Sequence, residues 1–263
     1  MNFLSKFFSF KKDRYILVIS GGGVRWVYAL WILKALEEMW LRDKIDAIYG
    51  VSIGSIVWSY RAAGYSAQEI FDLLSSVKVL SLKTFNFKIG KSLLSHDFLK
   101  DRFVQDLPKT FGELKKKMYI GAVDSRKALF QVFEDGDLIT PILASMSIPG
   151  VFPPVDYKDF SLVDGGVLNN FPVDLAKERY PHHKLIGIYL NKFLEDQKIK
   201  NIFDGLSLTY EILLRWPSLP KLDIPDHLFY RDLEIPILSM DLKKMKQIFL
   251  LGYADGLKEF AKK

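Results

Sequence analysis

The chain has 263 residues and a mass of 30.3 kDa, enough to bury most of its apolar surface in one core without staples. It holds no cysteine, which excludes a disulfide framework, a thiolate metal site, an iron–sulfur cluster and a cysteine nucleophile. Apolar residues at 49% and charged residues at 26% make a globular composition, and 37 Lys and Arg against 31 Asp and Glu leave a net charge of +6, a mild preference for anionic surfaces, phospholipid or nucleic acid.

Residues 1–14 are basic and aromatic. As a helix, Phe3, Leu4, Phe7 and Phe8 share a face that Lys6 leaves clear, which suits an anchor lying on a membrane surface. Docking of these rings on the protein's own body fits the same pattern. Lys6 interrupts the apolar run and no small-residue cleavage site follows, so the segment is a poor signal peptide. The expected location is the cytoplasm, with peripheral membrane contact through residues 1–14. Residues 15–263 contain no repeat, low-complexity tract or linker and are expected to form a single domain.

In chain order, the apolar run 15–20 ends in three glycines and reads as a buried strand. Residues 27–40 have helical periodicity. Residues 45–50 form a second short strand, followed by a helix to about Arg61 that breaks at Gly64. Further strands are predicted at 118–123, 129–133, 160–163 and 185–190. Strands separated by helices point to an α/β sheet, parallel in its first part. Residues 138–155 are uncharged, but Pro141, Pro149, Pro153 and Pro154 rule against a membrane span. Segments 78–97 and 193–225 fit the alternation worst and are candidates for lid or substrate-facing loops. Residues 241–263 carry Leu242, Met245, Phe249, Gly252, Tyr253, Gly256, Leu257 and Phe260 on one face, the pattern of a packing helix.

Three glycine-bracketed turns carry the chemistry. Gly50-Val51-Ser52-Ile53-Gly54 is a G-x-S-x-G between a predicted strand and a predicted helix, the setting in which a tight turn lifts a serine hydroxyl out of the sheet. A structural serine in a tight turn would give the same five residues. Gly21-Gly22-Gly23 ends the first strand, and its backbone N–H groups, with that of Ile53, are candidate oxyanion donors. The triple glycine fits a dinucleotide fingerprint poorly, because Trp26 stands where the close-packing glycine belongs. Gly90-Lys91-Ser92 lacks the first glycine of a phosphate loop. Nucleotide binding is therefore disfavoured, and nucleic acid too, since no basic stripe interleaved with aromatics appears beyond residue 14.

Ser52 needs a base. None of His96, His182, His183 and His227 follows a strand end in a glycine-bracketed turn, whereas Asp164-Gly165-Gly166 does. A buried Asp164 with a raised pKa could accept the serine proton. It could equally cap a turn. A triad using Asp124 or Asp164 with His182, His183 or His227 is the rival arrangement.

These residues resemble the patatin-like phospholipase family. Gly21-Gly22-Gly23-Val24-Arg25 resembles its oxyanion loop, Gly50 to Gly54 its nucleophile elbow, and Asp164-Gly165-Gly166 its DGG/DGA motif. Ala144-Ser145-Met146-Ser147-Ile148-Pro149-Gly150-Val151-Phe152-Pro153-Pro154 is similar to its A-S-x-S-x-P-x-x-F-P-P segment, and Asn169-Asn170-Phe171-Pro172 to its usual continuation. The resemblance covers roughly residues 15–190. It implies a three-layer α/β/α fold with a mostly parallel sheet, a Ser52–Asp164 dyad supported by Arg25, Gly50, Gly54, Gly165 and Gly166, and hydrolysis of phospholipid or other acyl esters without metal or cofactor. Trp26 departs from the family's Gly or Lys, and Ser20 from its frequent Asp. A bulky Trp26 would narrow the acyl site or pack beneath the helix. A catalytically silent lipid-binding or membrane-adaptor protein on the same fold is the alternative function.

Overall fold

The computed structural model describes residues 13–39, 41–76, 92, 94–191, 199–200, 202–233, 235, 237 and 242–261. The expected anchor at residues 1–14 lies outside them but for its last two residues, as does most of segment 78–97. Eight strands join in one sheet: β1 (Tyr15–Ile19), β2 (Ile45–Val51), β3 (Lys117–Asp124), β4 (Leu129–Phe133), β5 (Val155–Tyr157), β6 (Phe160–Asp164), β7 (Lys184–Tyr189) and β8 (His227–Tyr230). β1 lies between β2 and β7, and β1, β2, β3, β7 and β8 run parallel. The antiparallel strands β4, β5 and β6 gather at the β3 side.

Alternation along β1 shows why the sheet is covered on both faces. Tyr15, Leu17 and Ile19 enter one apolar cluster while Ile16 and Val18 enter another, and all five are buried. The first cluster is closed by α1 (Trp26–Glu38), α2 (Ile53–Ala63), α3 (Ala67–Ser76), α4 (Asp97–Asp106) and α5 (Ile139–Ser145). Behind α6 (Gly166–Asn169), α7 (Val173–Arg179) closes the second through Val173 and Ala176. The architecture is a three-layer α/β/α sandwich.

The predicted strands stand within a residue or two of their expected ends. The C-terminal helix is α9 (Leu242–Ala261), and its glycines let it lie close on α1: a Cβ at Gly256 would come within 2.6 Å of the Ala35 Cβ. The Phe249 and Trp31 rings meet beside them at 3.9 Å between centroids. The uncharged stretch contains α5, with Pro141 in its first turn, where proline costs no helical hydrogen bond. No helix among the described residues is long and apolar enough to cross a membrane. Segment 193–225 departs from the loop expectation: it contains a 14-residue helix, α8 (Ile202–Arg215). Its apolar residues Leu206, Ile212 and Leu213 are exposed while Ser207 and Glu211 are buried, so its apolar stripe does not mark the buried face.

Candidate active site

The sheet register brings Ser52 and Asp164 together. β4 occupies one edge of β3 from Ile120 to Asp124. β2 must therefore take the other edge, pairing Val51 with Gly121, and β6 continues along that same edge by pairing Asp164 with Ala122. The carboxyl ends of β2 and β6 thus meet head to head, and Ser52, the next residue after β2, faces the last residue of β6. Ser52 Oγ–H donates to Asp164 Oδ2 at 2.6 Å across 112 residues of sequence.

Ser52 sits at φ 55°, ψ −128°, a conformation an L-residue adopts only under constraint. The constraint is visible. Its N–H donates to Ser145 Oγ at 2.8 Å, and that hydroxyl donates on to the Gly121 carbonyl at 2.6 Å. Its carbonyl accepts from the N–H and Oγ–H of Ser55 at 2.9 and 2.7 Å. Gly50 is required by close approach, since a Cβ there would come within 2.7 Å of the Gly54 carbonyl. Gly54 lies close on β1, where a Cβ would stand 3.1 Å from the Ile19 carbonyl.

Asp164 is fully buried. Its N–H donates to the Ser147 carbonyl at 2.9 Å, so two serines of one segment, Ser145 and Ser147, hold the backbones of Ser52 and Asp164. Oδ1 accepts the Gly166 N–H at 2.7 Å, and Gly165 is pressed against the Gly121 carbonyl, leaving no room for a side chain. Burial pushes the Asp164 pKa up to about 6, against the opposing pull of Ser52, the Gly166 N–H and Tyr210.

Tyr210 was not apparent from the sequence. It lies on α8 in a buried cluster with Leu214 and Ile237, and its hydroxyl faces the Asp164 carboxyl. The hydroxyl falls short of hydrogen-bond geometry and has no other partner among the described residues. Burial and the neighbouring carboxylate raise its own pKa well above the usual tyrosine value, so it stays protonated.

The glycine loop differs in one respect from expectation. The Gly21 N–H donates to Asn170 Oδ1 at 2.9 Å, which removes it from the candidate oxyanion donors. Gly22, Gly23 and Ile53 have no acceptor for their N–H groups among the described residues. Gly23 has φ +52°, and a Cβ there would overlap the Ile237 carbonyl. Ser20 and Asn191 brace the loop: Ser20 Oγ–H donates to the Gly21 carbonyl at 2.9 Å and accepts the Leu190 N–H at 2.9 Å, while Asn191 Nδ2 donates to Gly21 O at 2.5 Å.

Arg25 is buried and ties three elements together. Nε donates to Ile235 O at 2.8 Å, one terminal nitrogen to Leu190 O at 3.2 Å, and the other pairs with Glu211 of α8 at 3.3 Å. Burial lowers the guanidinium pKa and Glu211 opposes that shift. Trp26 is buried with its ring 6.1 Å from that of Phe71 on α3, so it packs beneath its helix.

No histidine joins the pair. His96 bonds Ser147 Oγ at 2.9 Å, stacks on Phe152, and is held neutral by burial with a pKa near 4. His183 bonds Asp46 and His227 bonds Glu259. Asp124 Oδ1 accepts the Arg126 N–H. Among the described residues no group of three or more His, Asp or Glu side chains is placed to hold a metal ion.

The patatin-like phospholipase family model matches residues 17–177. Lysophospholipase NTE1 of Candida albicans is 27% identical in an alignment 276 residues long, gaps included, that covers 92% of this chain, and the chain spans only 20% of that protein. Probable lipid hydrolase 463L of Invertebrate iridescent virus 6 is 31% identical over 195 residues, 64% of this chain and 66% of that protein. The crystal structure of VipD from Legionella pneumophila shares the fold, with a TM-score of 0.66 at 13% identity over 95% of this chain and 67% of that one. With well over half of its length matched by the family model, the chain belongs to the patatin-like phospholipase family.

Proposed function

We propose that the protein is a lipid acyl hydrolase in which Ser52 is the nucleophile and Asp164 the general base. The observation that carries this reading is the 2.6 Å hydrogen bond from a conformationally constrained serine to a fully buried aspartate. With a pKa of about 6, Asp164 is mostly ionised at neutral pH yet basic enough to take a proton as the transition state forms.

Asp164 Oδ2 takes the Ser52 proton as Oγ attacks the ester carbonyl carbon. The oxyanion is held by the N–H groups of Gly22, Gly23 and Ile53. When the carbonyl re-forms, the ester C–O bond breaks and Asp164 returns the proton to the departing alkoxide. Water, deprotonated by Asp164, then attacks the acyl-Ser52 ester, releasing the fatty acid and restoring Oγ–H. No step draws on a metal, a cofactor or a histidine.

The named activities of the relatives make a lysophospholipid the first substrate to test. Ser52→Ala is expected to lower kcat/KM on it by about a thousandfold or more. The native pH profile should fall on the acid side with a midpoint near pH 6, as Asp164 takes up its proton. Tyr210 favours the ionised form of Asp164, so Tyr210→Phe should move that midpoint to higher pH. Turnover by Ser52→Ala equal to wild type sinks the proposal. Lipid binding with no turnover in the native chain would favour the silent-adaptor reading instead.

A further inference from the structure

α8 is built inside out. Its inward face carries Ser207, Tyr210, Glu211 and Leu214, three of them polar. The exposed residues of 204–216 are Leu206, Thr209, Ile212, Leu213 and Trp216, with Trp216 77% exposed. A helix on a water-facing surface ordinarily has the opposite polarity. Of the helix's two acids, Glu211 is buried against Arg25, and the Asp204 carboxylate accepts the Lys200 N–H. An open groove of about 540 Å³ runs along the same side, lined by Ile199, Leu206, Leu208, Thr209 and Ile212. Lys200 lines the groove at one end of that face and supplies a basic flank.

The inward face of this helix packs on the Asp164 side of the site. Tyr210 faces Asp164, Leu214 lies against Gly166, and Ser52 is only 7% exposed. α8 thus covers the dyad from the Asp164 side.

We propose that the outward face of α8 docks on an anionic lipid surface, placing Leu206, Ile212, Leu213 and Trp216 among the acyl chains with Lys200 at headgroup level, in a chain whose net charge is +6. An apolar helical face with a basic flank and a terminal tryptophan has the composition of an interfacial helix. The inference rests on the hydrolase reading for its functional sense, since docking brings the helix that covers the dyad to the surface holding the substrate.

The test uses the full chain carrying Ser52→Ala, so that binding is read without turnover, and vesicles of phosphatidylcholine with and without phosphatidylglycerol. Binding should be tighter with phosphatidylglycerol. Lipids brominated in their acyl chains should quench a fluorescence component that Trp216→Phe removes. Leu213→Ser/Trp216→Ser should weaken vesicle partitioning by about tenfold or more, while Val104→Ser, an exposed apolar position on α4, should not. Thermal unfolding of each variant verifies that it is folded. Equal binding by the double variant overturns the proposal. So does binding lost only on deletion of residues 1–12, or a concentration-dependent dimer that Trp216→Ser dissociates, which would assign the face to a second copy. Vesicle binding without ester turnover in the native chain contradicts the hydrolase reading, whereas turnover with binding indifferent to α8 contradicts this one.

Discussion

Asp164→Asn should cost about a thousandfold to ten-thousandfold in kcat/KM and at the same time make the folded protein more stable at neutral pH. The substitution preserves shape: Asn can accept the Gly166 N–H through its oxygen and face Ser52 with its amide, but it cannot take the serine proton. The stability gain follows from linkage. The folded-state pKa of about 6 lies above the ordinary 3.8, so the folded protein holds this proton more tightly than the unfolded chain does. That contribution to stability is fully present below pH 4 and is lost as pH rises through 6. A neutral Asn avoids the loss, which at 1.36 kcal/mol per pKa unit is at most roughly 3 kcal/mol. Calorimetry should therefore show a higher Tm for Asp164→Asn at pH 8 and a difference near zero at pH 4. An equal difference at both pH values would mean that Asp164 is not held in a pKa-raising environment.

The second large effect is expected at Arg25 and Glu211. The two side chains are 1% and 3% exposed, so removing either leaves a charge facing an interior that cannot solvate it. Arg25→Met should destabilise the fold by about 3–5 kcal/mol. Arg25→Met/Glu211→Leu should recover much of that, because the desolvation cost of the remaining ion disappears with it. Activity should not recover in parallel. Arg25 also caps the Leu190 and Ile235 carbonyls, and through them fixes the loop that presents Gly22 and Gly23. Denaturant titration of the two single variants and the double gives the coupling directly. Purely additive losses would place the importance of Arg25 in those carbonyl contacts alone.

Much of this site was legible because its signals are local. A strand that runs into a glycine-bracketed turn and then a helix can be read from ten residues, and β1, β2 and β6 are each followed by such a turn, around Gly21, Ser52 and Gly165. What stayed hidden is long-range. The Gly21 N–H is claimed by Asn170, 149 residues away, and no spacing rule points to that pairing. Ser145 and Ser147 were visible as a motif, but their task of holding two other backbones depends on the shared edge of β3, a property of register. Tyr210 was missed because the polarity of α8 is reversed: Leu206, Ile212, Leu213 and Trp216 face water while Ser207, Tyr210 and Glu211 face inward, so the apolar stripe by which a buried face is recognised lies on the wrong side. The violation of the usual pattern coincides with the element that covers the dyad, as expected where a sequence serves a site as well as a fold.

The assignment of Ser52 as the nucleophile is tested most directly by mass spectrometry of the protein after reaction with a fluorophosphonate, which traps an activated serine as a stable ester. A single adduct is expected on the peptide containing Ser52 and none in Ser52→Ala, with labelling of native protein slowing below pH 6 as Asp164 takes up its proton. An adduct on another residue, or equal labelling of native protein and Ser52→Ala, would contradict it.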